Sequence, residues 1–116
     1  RFGAKLAVDG IYGPATRRAL IRAIQTVLNN EYGASLAVDG IWGPKTRRAV
    51  PNLRERSRGN LVTLLQAGLY VNGFDPGGID GIFGPKTAAA VRSLQSARGL
   101  AVDGIAGPFT FQALFQ

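Results

Sequence analysis

The chain has no cysteine, no histidine and no methionine, and it has one tryptophan among 116 residues. Without cysteine there is no disulfide and no thiol nucleophile. Without cysteine and histidine there is no Cys/His zinc site and no Ser–His pair. Stability must therefore come from packing, and neither a metal nor a cofactor is expected. Acids are scarce: seven stand against fourteen Lys and Arg, for a net charge of +7. Long apolar runs are missing too. Nothing approaches the ~20 residues of a membrane span, so no membrane partner is expected. No secretory leader is recognisable and no methionine opens the sequence, which reads as a fragment or a processed form.

What is present is repetition. The phrase VDGIWGPKT, Val38 to Thr46, has close copies at Val8–Thr16, Ile79–Thr87 and Val102–Thr110. Residues 1–20 and 31–50 agree at 14 of 20 positions. A repeat architecture is the first hypothesis for such a chain. The first copy has no helical segment before it, so the chain reads as beginning in mid-repeat with a helix cut away upstream. At 46% hydrophobic the chain can build a core, and its length allows one domain or two very small ones.

Between the phrases the apolar pattern is helical. Leu20, Ile24, Val27 and Leu28 form one stripe, with Ile21 beside it; Leu61, Leu64, Leu65 and Leu69 form another. Val91 and Leu94 face together in the segment from Lys86 to Arg98, near Ala88 and Ala90. Gly33, Gly73 and Gly99 follow these segments, where a glycine suits the left-handed position past a helix end. The charged run Leu53 to Asn60, after Pro51, is the best boundary, and it divides the chain into 1–57 and 58–116. The basic charge is concentrated in the first part, which carries ten Lys/Arg against four acids.

Each phrase reads as a corner that closes one segment and opens the next helix. Asp9, Asp39, Asp80 and Asp103 are followed by Gly10, Gly40, Gly81 and Gly104, a pairing typical of tight turns. The carboxylate can accept backbone N–H bonds inside the turn. Proline suits the first helical position because it has no N–H to lose. The threonine falls in the first turn, where it can bond the local backbone. The isoleucine and the preceding Val or Ile are expected to plug the core on either side. Calcium ligation needs several oxygens close together, whereas each phrase has one carboxylate. Nothing marks any two of the four as an acid–base pair.

Three groups have both a structural and a binding reading. Tyr12, Trp42 and Phe83 share one position in the phrase; an aromatic there either anchors the core or stacks on a sugar ring. Arg17, Arg18, Arg47 and Arg48 follow the phrase in two copies. They are either a solvated helix face or an anion site using bidentate guanidinium contacts. Gln66 and Gln95 lie beside apolar stripes and are expected to bond a nearby backbone carbonyl.

The stretch Gly59–Leu114 resembles the peptidoglycan-binding domain family of the three-helix type. It carries a helix with Leu61 to Leu69, Gly73, the phrase Asp80–Thr87, a helix with Val91 to Gln95, Gly99-Leu100, the phrase Asp103–Thr110, and a short segment Phe111–Leu114. Leu94 replaces the family's aromatic before the glutamine. Residues 1–50 resemble the same family with the first helix absent, and Pro51 is expected to shorten the third. The resemblance implies an all-α protein of two tandem modules, the N-terminal one incomplete. It implies a non-catalytic module that holds a lytic enzyme on the bacterial cell wall, as in a phage endolysin or a bacterial N-acetylmuramoyl-L-alanine amidase.

The partners so implied are peptidoglycan, anionic wall polymers drawn by the positive charge, and an upstream catalytic domain. The site of action would be the cell wall, reached from outside for an autolysin or from the host cytoplasm for a phage enzyme. The truncated module should expose an apolar face that meets its neighbour or drives self-association. The alternative reading is a basic helical nucleic-acid-binding domain, although no recognised DNA-binding motif occurs. An enzyme would need an Asp/Glu pair, and Glu31 and Glu55 are the only glutamates.

Overall fold

The computed structural model describes residues 13–116; Asp9, Gly10 and Tyr12 lie outside the described residues. Five helices follow in order: α1 Pro14–Tyr32, α2 Pro44–Ala49, α3 Asn60–Val71, α4 Pro85–Ala97 and α5 Pro108–Phe115. Among the described residues there is no strand, only two isolated antiparallel bridges. The all-α expectation holds.

Glycine and proline set the helix ends. Gly13, Gly43, Gly84 and Gly107 are extended at the N-cap, and proline follows each as the first helical residue. None makes a side-chain cap bond. Proline fixes φ there and leaves one fewer N–H to satisfy. At the other end of α1, Gly33 turns left-handed at φ 72°, and the Ala34 N–H reaches back to the Leu28 carbonyl at 3.1 Å. Gly99 does the same after α4, with the Leu100 N–H on the Gln95 carbonyl at 2.8 Å. The short α2 stops where Val50 turns extended ahead of Pro51, because a residue before proline disfavours helix.

α3 lies at the centre. Every residue from Leu61 to Leu69 except Thr63 is buried. It packs against α1 on one side and against α4 and α5 on the others. Each fully buried leucine there contributes about 2 kcal/mol of transfer free energy. Leu20, Ile24 and Leu28 of α1 belong to the same apolar cluster as Leu65, Val91 and Phe115. The two parts of the sequence thus share one core, and the α1 stripe meets its neighbour within the chain. Phe115 packs closely over Gly68, where a Cβ would lie 2.4 Å from the ring.

The run at 52–58 is tied down along its length. Leu53 and Ala106 exchange both backbone hydrogen bonds, at 2.9 and 2.8 Å. The Phe83 N–H donates to the Ser57 carbonyl and the Arg56 N–H to the Phe83 carbonyl, both at 2.9 Å. Gly59 N–H then reaches the Gly81 carbonyl at 2.9 Å. The connection is therefore a strap across two corners rather than a free linker.

Candidate functional site

Three of the corners lie among the described residues, and each is closed by a buried glutamine from the preceding helix. At the Asp39 corner, the Gln25 amide nitrogen donates to Asp39 Oδ1 (3.0 Å), the Ile41 carbonyl (3.1 Å) and Thr46 Oγ1 (3.1 Å). Gln25 Oε1 accepts the backbone N–H groups of Asp39 and Gly40. Gln66 makes the same five bonds to Asp80, Gly81, Ile82 and Thr87. Gln95 makes them to Asp103, Gly104, Ile105 and Thr110. All three glutamines are at most 2% exposed. A buried amide with its donors and acceptor filled stabilises; the same amide unpaired would cost about 1–3 kcal/mol.

The aspartates complete the turns. Asp39, Asp80 and Asp103 each accept, on Oδ1, the N–H of the isoleucine two residues on, at 2.9–3.0 Å. That bond first, and the glutamine amide second, hold all three carboxyls below their ordinary pKa. Gly40, Gly81 and Gly104 take φ near 75°. A Cβ at Gly40 would lie 3.1 Å from the Arg18 carbonyl, so the corner also lies hard against α1. The expected bonding of the glutamines to backbone carbonyls is present but is one part of a larger clasp. The threonines serve that clasp by accepting from glutamine.

Of the two readings of the aromatic position the rings take the core one, while several expected core plugs lie at the surface. Trp42 and Phe83 were candidates for ligand contact, and both rings are in the core. Phe83 is 1% exposed, and Trp42 packs on Phe115 with centroids 6.2 Å apart. The Trp42 indole N–H has no hydrogen-bond partner among the described residues. Conversely, Ile41, Val38, Ile82 and Val102, expected to plug the core, are 63, 47, 47 and 54% exposed. The physical reason is the turn itself. It aims the residue after the isoleucine inward and leaves these four at the tip, whereas Ile79 packs against the core as expected and Ile105 is half-buried.

Two grooves lie against the corners, each about 360–370 Å³. The first is lined by Leu36, Asp39, Ile41, Lys45, Thr46 and Arg48, with Gln25 at its base. The other has Leu100, Asp103, Ile105, Phe109, Thr110 and Asn52, with Gln95 at its base. The arginine candidates separate. Arg48 lines the Asp39 groove, whereas Arg47 stacks 5.2 Å from the Phe109 ring and donates to Gln112 Oε1, joining α2 to α5. Arg17 is half-buried and Arg18 exposed on α1, and neither lines a groove. Gln25, Leu36, Lys45 and Phe109 were missed in the sequence. Gln25 could have been found, because it precedes its aspartate by 14 residues, as Gln66 does.

A profile described as a putative peptidoglycan binding domain matches residues 58–114. Among solved structures, the SleB N-terminal domain is 42% identical, with a TM-score of 0.53, covering 55% of this chain and 88% of that one. A peptidoglycan-binding protein from Clostridioides difficile, solved in complex with glutamine hydroxamate, is 40% identical with a TM-score of 0.54; the match covers 56% of this chain and 40% of that one. This chain therefore matches less than half of that second protein's length. No curated protein gives a significant match. The chain belongs to the peptidoglycan-binding domain family, and the matched stretch holds the Asp80 and Asp103 corners with their clasping glutamines.

Proposed function

We propose that the chain is a non-catalytic binding module that holds a lytic enzyme on bacterial peptidoglycan. The observation that carries this reading is the family match over 58–114, the stretch containing two complete glutamine-closed corners. The family is one of binding domains. The aspartates that recur most visibly are committed to turns, and their Oδ1 atoms are engaged by glutamine and backbone.

A peptidoglycan hydrolase such as an N-acetylmuramoyl-L-alanine amidase is the catalytic domain this module would serve, and the cell wall is where it would act. The net charge of +7 would add attraction to anionic wall polymers, weakened by salt. The α1 stripe is covered inside the chain.

Sedimentation with purified sacculi tests the reading. The chain is expected in the pellet at moderate salt, with no release of dye from labelled walls. A chain that stays in the supernatant, or that binds duplex DNA more tightly than sacculi, would overturn it.

A further inference from the structure

The three clasps are alike, but the chain treats the space beside them differently. At the Asp80 corner the loop runs through Asp75, Pro76 and Gly77 and lies on the first turn of α4. The Thr87 hydroxyl, which accepts from Gln66, gives its own proton to the Pro76 carbonyl at 3.1 Å. Pro76 is buried, and Gly77 packs so closely on Lys86 that a Cβ would lie 2.6 Å from the lysine's Cβ. A length of the chain's own backbone thus covers Thr87, while Lys86 beside it stays exposed.

At the Asp39 corner the equivalent residues, Lys45 and Thr46, line an open groove. Thr46 is 4% exposed and accepts from Gln25, yet its hydroxyl proton has no acceptor among the described residues. The preceding loop is tied to α1 instead. Asn29 holds Leu36 by both backbone groups, accepting its N–H at 2.7 Å and donating to its carbonyl at 2.9 Å. Lys45 and Arg48 stand on the rim.

From this internal counterpart we infer that the Asp39 groove takes a short peptide carrying a free carboxylate. One peptide carbonyl accepts the Thr46 hydroxyl, as Pro76 accepts that of Thr87, while Lys45 and Arg48 meet the carboxylate. The chain already shows that backbone fits beside this clasp; Lys45 and Arg48 outnumber the one lining carboxylate, Asp39, whose Oδ1 is taken by Gln25 and the Ile41 N–H, and so favour an acidic occupant. The inference rests on the wall-binding reading and narrows it to the peptide part of the polymer.

Calorimetric titration of the whole chain with a synthetic stem tetrapeptide, L-Ala-γ-D-Glu-L-Lys-D-Ala, tests it. Binding of the free acid is expected, with roughly tenfold weaker binding of the peptide lacking its carboxylates and a comparable loss for Thr46→Val. Thr46→Ser should restore the affinity, and Thr87→Val, at the covered corner, should leave it unchanged. Replacing Ala34–Val38 by the sequence Phe74–Ile79 should fill the groove and remove binding; circular dichroism checks that this chain is folded. Equal affinity of the parent and the folded exchange chain would overturn the proposal. So would inorganic phosphate competing as well as the peptide, which would mark a general anion site. If the tetrapeptide gives no heat while sacculi still carry the chain into the pellet, this inference fails and the wall-binding reading stands. If both fail, both are wrong.

Discussion

The Asp39 and Asp80 corners share five glutamine bonds, an Asp-Gly turn and a Gly-Pro helix start, yet one has an open groove and the other is covered. The difference is in the loop before the aspartate. Five residues separate Gly33 from Asp39, with Leu36 fixed by Asn29. Six separate Gly73 from Asp80, and they include the Asp-Pro-Gly-Gly that folds over Thr87. The clasp is therefore the architecture, and the preceding loop decides whether a space is left beside it. The most conspicuous repeat in the chain builds the scaffold, and the less regular segments shape the surface.

The largest effects should come from breaking the clasp. Gln66→Leu leaves two N–H groups and the Ile82 carbonyl without their buried partner, and it should cost about 3–5 kcal/mol in urea denaturation. Gln25→Leu should fall within about 1 kcal/mol of it, since the bonds are the same; a negligible cost at Gln25 would show that the corners are not equivalent. Next comes the contact between α3 and α5. Gly68→Ala pushes a Cβ into the Phe115 ring and should cost about 1–3 kcal/mol, read as a lowered Tm. Gly84→Ala, with open space around the new Cβ, should change stability by less than about 1 kcal/mol.

The loop follows Gly68 in size. Gly77 has φ 84° and lies on Lys86, so Gly77→Ala should cost about 1–2 kcal/mol. It should also loosen Pro76 from Thr87, seen as faster amide exchange at that corner alone. Smallest is the acid response. Asp39, Asp80 and Asp103 titrate lower in the fold than their ordinary value of 3.8. Their stabilising contribution is complete above that value and is lost as pH falls through the lowered folded values. Asp80→Asn keeps an acceptor for the Ile82 N–H, so it should be nearly as stable at neutral pH and should lose less stability on acidification.

Much of the scaffold was legible from residue types alone. Gly-Pro marked four helix starts, glycine after each apolar stripe marked the ends, and Asp-Gly marked the turns, because these depend on local backbone chemistry. Side-chain direction was not legible. Trp42 goes inward and Ile41 outward because of how the turn is rotated against the helix carrying Gln25, a long-range relation. Gln25 itself was readable only by matching its spacing to that of Gln66. The groove at Asp39 was not legible either. It depends on a loop position set by Asn29, and on the absence there of the Pro76 carbonyl that occupies the Asp80 corner.

Backbone amide shifts of the chain titrated with soluble muropeptides from digested sacculi address the central claim most directly. The account predicts shifts confined to the open Asp39 corner, around Ile41 and Thr46, with Ile82 and Thr87 unmoved. Shifts centred on Ile82 and Thr87, or spread evenly over all three corners, would contradict it.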